Sequence, residues 1–179
     1  IHYGLEPDLY SLEEIRRWSK SPRSPSFFHI PLDTGMRRLG LGAEDLDEAL
    51  DMLALYATKM RIRSIYTHLT SSEEPGQDAF SARQWKSLLE FVNAFEQRLG
   101  YRPWVHALNT AGILRFNEYQ GDMVRLGLGL YGLEPTGRLQ ERLKPLARFK
   151  TTVAQTHRLA KGQTLGYGNQ GVMESDGVV

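Results

Sequence analysis

The sequence contains no cysteine in its 179 residues. That excludes a disulfide scaffold, a cysteine nucleophile and a thiolate metal site, and it suits a reducing compartment such as the cytoplasm. No apolar run approaches the roughly 18–20 residues a membrane-spanning helix needs, and no signal-peptide pattern opens the chain. A preponderance of one charge is also missing. The 22 basic and 21 acidic residues leave a net charge of +1 and are mixed along the chain, which argues against a nucleic-acid or membrane-surface partner. No initiating methionine stands before "IHYGLEP", and "GVMESDGVV" stops where a strand is beginning. The expectation is an internal piece of a longer protein.

What is present alternates. Strand-like segments at "PDLY", "SFFHIPLD" (26–33), "IRSIYTHL" (62–69), "WVHALNT" (104–110) and "DMVRLGLGLYG" (122–132) are separated by helical patterns. Ser11 with Glu14 three residues on reads as a capping box. Residues 43–58 carry apolar positions at Leu46, Leu50, Leu53 and Ala57. Residues 78–99 form a longer amphipathic stretch ended by Gly100, the usual C-terminal stop. Strands joined by helical crossovers predict a parallel sheet, and both an open doubly wound sheet and a (β/α)8 barrel fit. No glycine-rich nucleotide fingerprint follows the first strand. Asp33, Thr34, His68, Asn109 and Thr110 fall near C-terminal strand ends, which in a barrel converge on one mouth, and Arg125 is read with them. The reading is therefore a barrel over residues 1–140. Beyond it, turn signals at Lys161-Gly162 and around Gly166–Gly168 predict the opening of an antiparallel β domain over 141–179.

Arg125 poses a question. An uncompensated charge is costly to bury, yet Arg125 opens a leucine-glycine alternation that has the texture of a buried strand. Taken alone, it reads as a surface arginine pairing with Asp122 or Glu118. His106 alone reads as a satisfied core histidine, Tyr167 as a turn tyrosine, and the glycines of "GLGLYG" as bulge markers.

The ordered segments "HIPLDTGMRRLG", "YTHLTSSEE", "HALNTAG", "VRLGLGLYGLEP" and "GQTLGYG" resemble those of alanine racemases. The resemblance implies an α/β fold, the later strands (about the fourth to the eighth) of a (β/α)8 TIM-type barrel, followed by the start of an antiparallel β domain. It also implies pyridoxal 5'-phosphate (PLP) as cofactor, interconversion of L- and D-alanine for peptidoglycan, a cytoplasmic homodimer with shared active sites, and no metal.

By the same resemblance, Arg125 donates to the PLP ring nitrogen, with His106 behind it. An arginine does not give up its proton, so that nitrogen stays unprotonated and the ring is a weaker electron sink. Thr110, Gly127 and Leu128 match the phosphate site, with threonine where serine is usual. His68 lines the ring. Arg38 contacts the PLP phenolic oxygen and helps place the substrate carboxylate, while Arg37 is a solvated neighbour. Tyr167 matches the base that takes the α-proton of L-alanine in the partner's site. A phenol, with an ordinary pKa of about 10, needs a cationic neighbourhood for that task.

Two departures stand out. Pro31 occupies the position where many racemases have a lysine, often carbamylated, that anchors this arginine. The lysine that carries PLP lies on the family's first barrel strand, and Lys59, Lys86, Lys144, Lys150 and Lys161 match no such motif. The piece alone is therefore expected to be inactive. A racemase of serine, lysine or another amino acid shares every motif, and a non-catalytic PLP-binding or degenerate racemase domain is the alternative of a different class.

Overall fold

A computed structural model describes residues 3–23, 25 and 27–179. Two compact units divide at Leu146/Ala147.

In the first unit, helix α1 (Leu12–Lys20) starts where Ser11 accepts the Glu14 N–H at 3.2 Å. Only half of the expected capping box forms, because the Glu14 carboxylate turns to Arg17 instead. Strand β1 (Phe28–Leu32) leads through a 3-10 turn at Ala43–Asp45 into α2 (Leu46–Leu55). Strand β2 (Ile62–Thr67) is followed by α3 (Asp78–Leu99), which ends on Gly100 at a left-handed φ of 77°. Strand β3 (Trp104–His106) precedes the short α4 (Thr110–Arg115). Of the segment read as a strand over 26–33, Ser26 lies outside the described residues.

The three strands form a parallel sheet in the order β1-β2-β3. Strand residues Phe28, Ile30, Ile62, Ile65 and Val105 are buried, and α3 lays Leu88, Phe91, Val92 and Phe95 into the same core. Each such side chain contributes about 1.5–3 kcal/mol by leaving water. The 3,1,3 spacing of the α3 residues is one face of a 3.6-residue helix, so the periodicity read from the sequence is the packing surface observed.

Pro31 sits in β1 without breaking the ladder. Its carbonyl accepts from Leu41 N at 2.9 Å, on the side of β1 away from β2. A strand residue's N–H and C=O point the same way, so the donor that proline lacks is not one the β1–β2 pairing needs.

The expected fifth strand does not form. Residues 122–125 do run beside β3, with Asp122 N on Val105 O at 2.8 Å and Arg125 N on Leu108 O at 2.9 Å. However, the Asp122 carboxylate takes the Val105 N–H at 2.7 Å, replacing a backbone acceptor. Gly127 (φ −102°, ψ −99°) then turns the chain out of extended geometry into a 3-10 turn at Leu128–Tyr131. Glycines read as part of a strand instead end it. Gly121 (φ 63°) makes the close approach possible, since a Cβ there would lie 2.3 Å from Val105 O. What is observed of the fold is thus a parallel α/β sheet with helices; among the described residues no closure into a barrel is seen.

The second unit contains two small antiparallel pairs, β4 (Arg158–Leu159) with β7 (Gly177–Val178) and β5 (Thr164–Leu165) with β6 (Gly171–Val172). Among the described residues, no helix is long and apolar enough to cross a membrane.

Candidate functional site

At the C-terminal ends of β1, β2 and β3 lie two adjoining cavities. One, of about 340 Å³, is lined by Arg38, Tyr66, His68 and Arg125 among others. The other, of about 270 Å³, is lined by His68, Glu73, Asn109, Thr110, Gly127 and Leu128 among others. His68 borders both.

Arg125 does not pair with Asp122 or Glu118. Its guanidinium turns inward, with Nη2 donating to the carbonyls of Thr67 at 2.7 Å and Ala107 at 3.1 Å. Nη1 donates to Nδ1 of His106, with a longer contact to the His106 carbonyl at 3.4 Å. Carbonyl oxygens and an imidazole lone pair thus offset the burial of the charge, with no carboxylate in contact among the described residues. The one guanidinium donor without a partner among the described residues is the Nε–H. The Tyr66 ring lies 5.0 Å below the guanidinium and stacks on His106 with 4.7 Å between centroids.

These neighbours move one another's proton affinities. Burial, then the Arg125 charge, pushes His106 down to about 3, so it is neutral at ordinary pH. His68 is lowered by burial and by the charges of Arg125 and Arg38. Burial and Asp8 push the Tyr66 phenol up to about 12. Both imidazoles facing Arg125 are therefore lone-pair acceptors rather than cations.

In the second cavity, the Thr110 hydroxyl oxygen accepts two N–H groups, from Gly127 and Gly129, each at 3.1 Å. With its lone pairs engaged, the hydroxyl has its own proton left to donate. The Leu128 N–H, between those two amides, has no partner among the described residues. Asn109 fixes the start of α4 by accepting from Gly112 N at 2.9 Å and from Ser72 Oγ at 2.7 Å. A small anion finds a hydroxyl and an amide donor here, with no lysine needed. Glu73 also borders this cavity, so the donors, not the net charge, would hold the anion.

The position of Arg38 comes from Asp33, whose carboxylate accepts the N–H groups of Gly35 (3.0 Å), Arg37 (2.8 Å) and Arg38 (3.0 Å). Arg37 adopts a left-handed φ of 54° to complete this cradle, and its side chain is exposed. A backbone cradle thus sets the loop where Pro31 offers no side-chain anchor.

Arg38, His68, His106, Thr110, Arg125, Gly127 and Leu128 are therefore gathered in one region of the first unit. Tyr167 belongs to the second unit, on the loop between β5 and β6, flanked by Gly166 (φ 80°) and Gly168 (φ 68°), and is fully exposed. Sequence reasoning missed Gly129, Tyr66 and the carbonyls of Thr67 and Ala107. "YTH" carried a signal for Tyr66, an aromatic beside a strand-end histidine. Backbone acceptors leave no trace in residue identity.

The family model for the alanine racemase N-terminal domain matches residues 1–135. Alanine racemase 2 of Bacillus subtilis (strain 168) is 32% identical over 158 residues, covering 84% of this chain and 39% of that protein. The alanine racemase of Methylobacterium nodulans is 36% identical over 172 residues, covering 92% and 43%. The chain thus spans less than half the length of these relatives. Among solved structures, alanine racemase from Streptomyces coelicolor A3(2) superposes with a TM-score of 0.81 at 22% identity, over 99% of this chain and 49% of that one. The Bartonella henselae enzyme, which carries covalently bound pyridoxal phosphate, gives 0.72 at 24% identity over 99% and 48%. With three quarters of its length matched by the family model, the chain belongs to the alanine racemase N-terminal domain family.

Proposed function

We propose that the intact protein is a PLP-dependent racemase that interconverts L- and D-alanine. The observation that carries this reading is the disposition of Arg125. Its two Nη groups are committed to carbonyls and to His106, which leaves the Nε–H as a fixed, permanently protonated donor for a ring nitrogen. When bound, PLP withdraws electrons from the substrate's α-carbon, and every other contribution comes from the protein.

Arg125 holds the ring nitrogen by donation without protonating it, which limits that withdrawal and disfavours transamination. The Thr110 hydroxyl and the amide of Leu128, at the turn opened by Gly127, hold the phosphate in the adjoining cavity. His68, common to both cavities, would line the ring. Arg38 takes the phenolic oxygen and the substrate carboxylate. Tyr167, on the exposed loop of the second unit, serves as the base for L-alanine in a partner's site. In this reading the first unit is the later part of a (β/α)8 barrel and the second is the start of a β domain. No lysine lines either cavity among the described residues, so the activity belongs to a protein that supplies one, and residues 1–179 alone are inactive.

The test is to follow alanine enantiomers by circular dichroism with the full-length protein and PLP. Racemisation of alanine well above that of serine or lysine supports the reading. PLP binding with no racemisation of any of the three sinks it in favour of a non-catalytic PLP protein.

A further inference from the structure

Behind Arg125 lies a line of four hydrogen bonds that crosses the sheet. His106 Nε2 meets Ser64 Oγ at 3.1 Å, and Ser64 Oγ meets His29 Nδ1 at 2.7 Å. His29 Nε2 meets Glu6 Oε2 at 3.0 Å. Arg63 grips the same carboxylate with Nε at 2.6 Å and Nη2 at 2.7 Å. The parallel register places His29 opposite Ser64 on β1 and β2, and Tyr66 opposite His106 on β2 and β3.

Each bond in this line can run only one way. Arg125 has donors and no acceptor, so Nδ1 of His106 must offer its lone pair. A neutral His106 then carries its proton on Nε2 and donates it to Ser64. Ser64 is fully buried, and a buried hydroxyl with no acceptor is costly. Its proton has one acceptor within reach among the described residues, Nδ1 of His29, so His29 also carries its proton on Nε2 and donates to Glu6. All the protons point from the ring end of the site towards the Glu6–Arg63 pair.

We propose that Ser64 is a positioning residue that, through this one-way line, fixes the tautomer of His106 and thereby the placement of Arg125 against the cofactor ring. The ring end of the proposal rests on the PLP reading above, whereas the proton order does not. Ser64 is the only member of the line whose side chain is neither an imidazole nor a charged group. It passes direction from one histidine to the other, a role for which alanine has no group and threonine keeps the hydroxyl.

Long-range 1H–15N spectra of the full-length protein with 15N-labelled histidine test this, with signals assigned through His29→Asn and His106→Asn. Both rings are expected as Nε2–H tautomers in the unsubstituted protein. An Nδ1–H or doubly protonated His106 overturns the proposal without any variant having to fold. In Ser64→Ala, His29 is expected to redistribute between tautomers. The bound-cofactor absorbance should shift, and PLP affinity should weaken roughly three- to tenfold, the loss of one hydrogen bond. Ser64→Thr should restore the tautomers and the absorbance. Lowered thermal stability with tautomers, absorbance and affinity unchanged would make Ser64 a packing residue only. A protein that takes no PLP sinks the functional reading, and the histidine protons still decide the line by themselves.

Discussion

The Asp33 carboxylate holds Arg38 through its backbone N–H, at 3.0 Å, rather than through its side chain. The guanidinium is thereby left free to line the cavity that also contains His68 and Arg125. Burial works to raise the Asp33 pKa, but the three N–H groups outweigh it and the net shift is downward. A lowered carboxylate contributes stability above its unfolded value of about 3.9, and loses it as pH falls through the lower folded value. Asp33→Asn should therefore cost stability at pH 7 but much less below pH 3. Substrate KM should rise more than kcat falls, because Arg38 is displaced. Urea melts at both pH values and steady-state kinetics check this; an unchanged KM would detach Arg38 from the substrate.

Thr110→Val keeps the shape and removes the hydroxyl. Hydrogen bonds to charged groups contribute roughly 1.5–3 kcal/mol, so PLP affinity should fall about 10- to 100-fold. Thr110→Ser should remain near the unsubstituted value. Equilibrium binding of PLP to the full-length variants measures both, and equal losses in the two would remove the hydroxyl from the phosphate site.

Arg125→Glu puts an acid beside the carbonyls of Thr67 and Ala107 and, on the proposed reading, against the ring nitrogen. The expected results are a shifted cofactor absorbance and more pyruvate formed by transamination per racemisation event. Unchanged spectra and partition would show that Arg125 does not face the ring.

His106 is neutral in the fold, with a pKa of about 3, while an unfolded histidine protonates near 6.5. Between these values the unfolded chain binds the extra proton, so folding stability should fall with pH by up to about 1.4 kcal/mol per unit. His68 is shifted in the same direction. His106→Gln should flatten the slope between pH 6 and pH 4, read from denaturant midpoints. An unaltered slope would place the proton uptake elsewhere.

Tyr167→Phe should separate the two faces of the reaction. Racemisation should drop roughly 10²–10⁴-fold in both directions. Deuterium exchange at the α-carbon should persist for D-alanine with retention and be nearly lost for L-alanine. NMR of each enantiomer in deuterium oxide decides this, and equal losses would make Tyr167 a cofactor-positioning group.

The sequence made α3 legible to the residue because its apolar spacing and Gly100 both act locally. It made the 122–132 segment illegible because leucine-glycine alternation fits a strand and a glycine-broken turn equally well. The outcome turned on Asp122 capturing the Val105 N–H, a contact 17 residues away. The resemblance named the residue types that line the two cavities. The reason Arg125 tolerates burial was not legible, because three of its acceptors are backbone carbonyls. Nor did any spacing rule connect His29, Ser64 and His106, which only the strand register brings into line.

Tyr167 stands on a two-glycine loop, wholly in water. If that phenol completes a partner's site, turnover per subunit is not a constant of the protein but a function of its concentration. Dilution below the dimer dissociation constant should silence the enzyme without unfolding it, and raising the concentration should restore it by mass action. A cell carrying this protein would then set its D-alanine supply more steeply than in proportion to the number of copies it makes.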